Sequence, residues 1–214
     1  MNTADIFAHA TTTGGHAHAT TTGNDAHALT AGGYAYATTT GDYSRASTAG
    51  YYAHATTAGD YAYATTTGGH ARATTTGNDA HALTAGNDAH ALTAGYSAHA
   101  TATGYSAHAT TTGHFSHALT AGDEADATTA GNYAHALTAG ARAKTSATGE
   151  NSIAAAFGAN SAARAADGGF IVLAQYNPDG DTVVAVKTAQ VGKDGIKPDT
   201  WYKLSPTGEF VEAE

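Results

Sequence analysis

The sequence predicts an all-β protein: a β-solenoid (β-roll or β-helix) of nine-residue repeats, two repeats per coil, with a small C-terminal β-meander cap. Three observations predict it. A glycine recurs every nine residues from Gly14, Gly23, Gly32 and Gly41 to Gly149 and Gly158. It sits in a nearly fixed phrase, read best from Gly77-Asn78-Asp79-Ala80-His81-Ala82-Leu83-Thr84-Ala85 to Gly86. Self-similarity at a fixed period marks one supersecondary unit stacked on its copies. Second, residue size alternates with period two inside each repeat, as in a strand with one packed face. Third, the repeat ends at Asp167-Gly168-Gly169, beyond which large apolar residues gather.

Each position after the glycine has its own rule. Position three is Ala17, Ala26, Ala35, Ser44 and Ala53, always Ala or Ser, and position five is alanine nearly throughout. Position seven is Thr21, Thr30, Thr39 and Thr48, with Ala102 and Ala147 among the exceptions. Position four instead accepts His18, Tyr36, Arg45, Arg72, Asp126 and Lys144. Tolerance of charge at four and intolerance of bulk at three and five put the small residues inside and the His/Tyr positions outside.

Nine extended residues span only about 30 Å, too little to wrap a core and return. Two repeats per coil, giving a flattened roll of two parallel sheets, solve this. Leu replaces Thr at position six in Leu29, Leu83, Leu119 and Leu137, all an even number of repeats apart, with Leu92 the exception. Wherever Leu stands there, Ala follows at position eight, as in Ala31 and Ala85, so six and eight trade volume on one outer face. Roughly nine coils at about 4.8 Å make a rod near 40 Å long. Two arrangements meet this pattern: one chain closing its own core, or several chains sharing one, as in trimeric fibres. An alanine core buries little apolar area, so backbone ladders, close sheet packing and stacked Thr hydroxyls are expected to supply the rest.

The chain enters the repeat early, with Asp5 in a glycine's place and Ala8-His9-Ala10 completing the phrase. The solenoid is expected over residues 1–166, decaying at Thr145 to Gly149 and across Ile153 to Ala166. A β-rich cap is expected over 167–214. Its strands are Phe170 to Tyr176, Thr182 to Val191, Thr200 to Leu204 and Phe210-Val211, separated by turns at Asn177-Pro178-Asp179-Gly180, Lys193-Asp194-Gly195 and Pro206-Thr207-Gly208. The cap holds Trp201 and most large apolar residues, and a solenoid needs such a cover for its exposed end.

Composition narrows the partners. A net charge of −9 argues against nonspecific nucleic-acid binding, which needs clustered Lys and Arg. There is no cysteine, hence no disulfide or thiolate site. No signal peptide and no apolar stretch long enough to span a bilayer is visible, so a soluble chain with no membrane partner is expected. Catalytic signatures are lacking too: no phosphate-cradling loop, no nucleophile elbow and no paired carboxylates outside the repeat. A non-enzyme without a cofactor is expected. Asp123, Glu124 and Asp126 form one acidic repeat, read as a solvated turn.

Four surface chemistries remain. Gly23-Asn24-Asp25, Gly77-Asn78-Asp79 and Gly86-Asn87-Asp88 resemble the Gly-Asn-Asp of RTX-type β-rolls. Those carry a glycine pair where this chain has Thr-Thr or Thr-Ala, and most repeats here put Tyr, His or Ser at the Asp site. Calcium needs six or more oxygens, so Asn-Asp reads as turn chemistry and no metal site is assigned. His81, His99, His117 and His135 are eighteen apart and form an outer ladder, with His90 and His108 on the opposite sheet. Thr20/Thr22, Thr38/Thr40, Thr74/Thr76 and Thr110/Thr112 form stacked Thr-x-Thr pairs that resemble the Thr arrays of β-solenoid antifreeze proteins. Tyr34, Tyr43, Tyr52 and Tyr61 occupy position two, where exposed rings offer stacking platforms for a sugar or protein partner.

The pattern also resembles a group of uncharacterised bacterial and prophage-associated nonapeptide-repeat proteins with a short β-rich tail. Gly41-Asp42-Tyr43-Ser44-Arg45-Ala46-Ser47-Thr48 carries the first likeness. Phe170-Ile171-Val172-Leu173-Ala174-Gln175-Tyr176 and Ile196-Lys197-Pro198-Asp199-Thr200-Trp201-Tyr202 carry the second. Glu150-Asn151-Ser152-Ile153-Ala154 is similar to head repeats of trimeric adhesins. The resemblance implies a fold and a phage-like context. The expectation is a non-enzymatic structural and binding rod, a fibre or adhesin-type component that forms a homo-oligomer or meets a surface glycan or protein. An ice-binding surface and a metal-binding repeat protein are the alternatives.

Overall fold

A computed structural model describes residues 7–213; Asp5, the expected first corner, lies outside them. The described residues form two eleven-stranded sheets and no helix. The first sheet runs β1 (His9–Thr13), β3 (His27–Ala31), β5 (Arg45–Ala49), β7 (Tyr63–Thr67), β9 (His81–Ala85) and β11 (His99–Thr103). It continues through β13 (His117–Ala121), β15 (His135–Ala139), β17 (Ile153–Ala156) and β19 (Phe170–Tyr176) to β20 (Val183–Gln190). The second runs β2 (His18–Thr22), β4 (Tyr36–Thr40), β6 (His54–Ala58), β8 (Arg72–Thr76), β10 (His90–Ala94) and β12 (His108–Thr112). It ends with β14 (Asp126–Ala130), β16 (Lys144–Ala147), β18 (Ala162–Ala165), β21 (Tyr202–Leu204) and β22 (Phe210–Glu212).

From β1 to β18 each strand pairs, in parallel, with the one two repeats away, in a register of eighteen: His99 opposes His117 and Thr101 opposes Leu119. Two strands per coil make β1 to β18 nine coils of a β-solenoid. Leu parity read from sequence is the parity of the sheets. Leu29, Leu83, Leu119 and Leu137 lie on the first sheet and Leu92 on the second.

Positions three, five and seven point inward, and their side chains are buried. Alanines such as Ala98, Ala100 and Ala109 are shielded by the chain itself, so a single chain closes the core. The expected help from stacked Thr hydroxyls is not there. Buried Oγ1 atoms of Thr30, Thr57, Thr66, Thr75, Thr84 and Thr93 have no hydrogen-bond partner. Where the next repeat opens on Ser the hydroxyl does find one, as in Thr39 to Ser44 (3.1 Å) and Thr111 with Ser116 (3.0 Å). Alanine there and at the next position five leaves the threonine contributing its methyl alone; Thr138, followed by Ala143, meets Thr145 at position five instead (2.8 Å).

Corners alternate along the chain. The first corner, at Gly23, Gly41 and Gly59, leads into first-sheet strands; the second, at Gly14, Gly32 and Gly50, leads into second-sheet strands. On the first corner the position-one Asx side chain accepts the backbone N–H of the next coil. Asn24 Oδ1 takes Asp42 N (3.1 Å), Asp42 takes Asp60 N (2.9 Å), and Asp60 takes Asn78 N (2.8 Å). This is the turn chemistry expected of Asn-Asp, extended into a ladder between coils.

The cap is two hairpins, one on each sheet. Strand β19 pairs in parallel with β17 and turns back into β20, whereas β21 runs antiparallel to β18 and turns into β22. Ile171, Leu173, Val191, Ile196 and Tyr202 plug the end of the alanine core. Trp201 stays outside that plug, against the Arg164 guanidinium (4.7 Å) and Lys144 Nζ (5.6 Å).

Candidate functional site

Parallel pairing in unbroken register turns every outward position into a file of side chains about 4.8 Å apart. On the first sheet, position four reads His9, His27, Arg45, Tyr63, His81, His99, His117 and His135. Ring centroids lie 4.8 Å apart from Tyr63 to His81 and from His81 to His99, and 4.7 Å apart from His99 to His117. His135 breaks the stack by turning edge-on to His117 at 5.2 Å, and Arg45 lies over Tyr63 at 5.4 Å. His90 and His108 stack at 4.9 Å on the second sheet, as expected.

Burial within the file sets the charge of three of these imidazoles. His81, His99 and His117 are each pushed below the ordinary histidine value, first by desolvation; His99 and His117 are lowered further by neighbouring histidines. Asp79 pulls the other way on His81 and His99 without reversing the shift. His81, His99 and His117 therefore form a neutral, flat aromatic strip at neutral pH.

Tyrosines at position two divide between the two corners. Tyr34 and Tyr52 stack at 5.0 Å on the second corner, continued by His16 and His70. Tyr43 and Tyr61 stack at 5.1 Å on the first, with left-handed backbone at both (φ 60° and 56°). The Tyr set therefore forms two files on opposite corners of the rod.

Thr-x-Thr pairs fall as expected on the second sheet, in β2, β4, β8 and β12, with Thr22, Thr40, Thr76 and Thr112 exposed. Leu92 and Ala94 of β10 interrupt them, and Ala58 and Ala130 replace the outer threonine of β6 and β14. The two faces differ in degree, because β1, β7 and β11 of the first sheet also carry Thr-x-Thr pairs, at Thr11/Thr13, Thr65/Thr67 and Thr101/Thr103. Leu29, Leu83, Leu119 and Leu137, each with Ala two residues on, are interspersed with Thr or Ser beside the first-sheet file, whereas Leu92 is the one Leu beside the second-sheet file.

The acidic repeat is more engaged than a solvated turn. Asp123 accepts Ala141 N–H (2.9 Å), Glu124 meets Arg142 Nη2 (3.1 Å) and the Tyr105 hydroxyl, and Asp126 lies 3.4 Å from His108 Nδ1. The eighteen-residue offsets of Glu124 to Arg142 and His108 to Asp126 were the available signal, since they place the charges side by side on adjacent coils. Among the described residues no three His, Asp or Glu side chains converge on a metal position, and no helix is long and apolar enough to cross a membrane.

Fold and surface define a class: a two-sheet β-solenoid carrying in-register files of side chains on its outer faces. No protein-family model matches the chain, and neither a curated protein nor a solved structure does.

Proposed function

We propose that this chain is a non-enzymatic binding rod, a fibre or adhesin-type component, that presents stacked rings to an extended partner. The observation that supports this reading is the position-four file of the first sheet, where rings repeat at one-strand spacing from Tyr63 to His117. A repeating row of flat, half-exposed rings suits a repeating ligand, a glycan chain or a protein surface, because each added unit meets the same group again. Exposed Leu83 and Leu119 flank the file and extend its apolar area.

An immobilised-glycan and cell-surface screen tests it. The wild type is expected to bind a defined partner, and the His81→Thr/His99→Thr/His117→Thr variant to lose that binding while keeping its β-sheet circular dichroism. Equal binding by both, or no partner at all, would overturn the reading.

A second reading, ice binding, is favoured by the exposed Thr pairs of the second sheet. Thermal hysteresis at high protein concentration separates the two. Its absence removes the ice reading, and its loss on Thr76→Lys would support it.

A further inference from the structure

The two corners differ in the polarity of their backbone ladders. On the first corner the position-two N–H donates forward, to the position-one carbonyl of the next coil: Tyr43 N to Asp60 O and Ser97 N to His114 O, both 2.9 Å. The second corner changes direction once. Early bonds run backward, from Tyr34 N to Gly15 O, Tyr52 N to Gly33 O and His70 N to Tyr51 O, each 2.8 Å. From the next coil they run forward, Asp88 N to Tyr105 O (2.9 Å) and Ser106 N to Asp123 O (3.0 Å). Backbone conformation changes at the same place: Asp88 and Ser106 are left-handed (φ 50° and 51°), and the earlier position-two residues of this corner are not.

A trans peptide holds its N–H and C=O on opposite sides. The Gly69–His70 peptide points its N–H back to Tyr51, so its carbonyl faces forward. The Asn87–Asp88 peptide points its N–H on to Tyr105, so its carbonyl faces backward. Both oxygens address the same gap between consecutive coils, and neither accepts a backbone N–H among the described residues. Two carbonyl dipoles meeting head-on repel, and a cation between them converts that repulsion into attraction. The Asp88 carboxylate reaches back across this gap to 3.9 Å from His70 Nδ1, adding negative charge. The Tyr51 ring lies against Gly69, and its hydroxyl is 3.1 Å from His70 Nε2.

We infer that this gap, present once in the described solenoid, binds a hard cation of the Ca²⁺ class. The Gly69 and Asn87 carbonyls and the Asp88 carboxylate supply the protein oxygens. An all-oxygen donor set selects Ca²⁺ over thiophilic or imidazole-seeking metals. Three protein donors completed by water make a weak site, with Kd on the order of 10⁻⁴ to 10⁻³ M. Binding here is independent of what the ring file recognises.

A Ca²⁺ titration to about 10 mM, followed by carbonyl ¹³C NMR and melting temperature, tests the site. Saturable shifts are expected at the Gly69 and Asn87 carbonyls, with a rise in melting temperature. Asp88→Asn should weaken the affinity by about tenfold or more, and Asp79→Asn, on the uniform first corner, should leave it unchanged. Both variants are checked for unchanged circular dichroism. Absence of shifts at these two carbonyls, shifts confined to the Asp123–Glu124 turn, or full affinity in Asp88→Asn would overturn the inference.

Discussion

Gly104 shows why the repeat glycine recurs without exception through the coils. Its φ is +136°, and a Cβ there would run into the carbonyl of Gly86 one coil below. Gly104→Ala combines strained backbone with a clash that only coil separation relieves, so a loss of about 3 kcal/mol or more in denaturant unfolding is expected. Core threonines give a subtler contrast. Thr75 buries a hydroxyl with no partner, whereas the Thr138 hydroxyl meets Thr145 at 2.8 Å. Thr75→Val should be neutral or stabilise by up to about 1 kcal/mol, and Thr138→Val should destabilise by about 1–2 kcal/mol. The same sign for both in a urea titration would contradict this reading of the core. Inward and outward positions were legible because alternation shows directly in side-chain size. Hydroxyl pairing was not, because it depends on whether the facing position happens to hold Ser, Thr or Ala.

Histidine files behave as elements, since each ring's environment is the ring one strand away. His81, His99 and His117 hold protons less readily in the folded chain than at the ordinary value of 6.5. Unfolding relieves that burial, so just below pH 6.5 the unfolded chain takes up protons first. Stability is then full above this value and falls as pH drops through and below it. Melting temperature should be flat between about pH 7.5 and 8.5 and decline toward about pH 5. The triple variant His81→Thr/His99→Thr/His117→Thr should show a shallower decline, with His27, His54 and His90, also lowered by burial, supplying what remains. A steeper decline in the variant would refute the assignment. The ladder itself was legible from the eighteen-residue spacing. The polarity change of the second corner was not, because Gly69-His70 and Asn87-Asp88 differ in peptide orientation, which no residue spacing reports.

At the scale of the whole molecule, nine coils at about 4.8 Å give a rod roughly 40 Å long, with four of its five outward position-six leucines on one face. Leu parity disclosed the two-repeat coil because four of the five position-six leucines share one sheet, Leu119 and Leu137 stacking directly. The division of the tail between sheets was hidden. Both sheets end on open edges, and nothing local to Phe170–Tyr176 or Tyr202–Leu204 says which edge each strand covers. All functional readings depend on outward residues eighteen apart forming files on one face of one chain. The absence of native cysteine permits a clean test by paired pyrene labels. Thr101→Cys/Leu119→Cys joins neighbours on β11 and β13, and Thr101→Cys/Thr110→Cys joins positions nine apart on opposite sheets. Strong excimer emission, unchanged on dilution, is expected from the first pair and monomer emission alone from the second. Excimer from the second pair, or from mixed singly labelled chains, would contradict a two-sheet solenoid closed by a single chain.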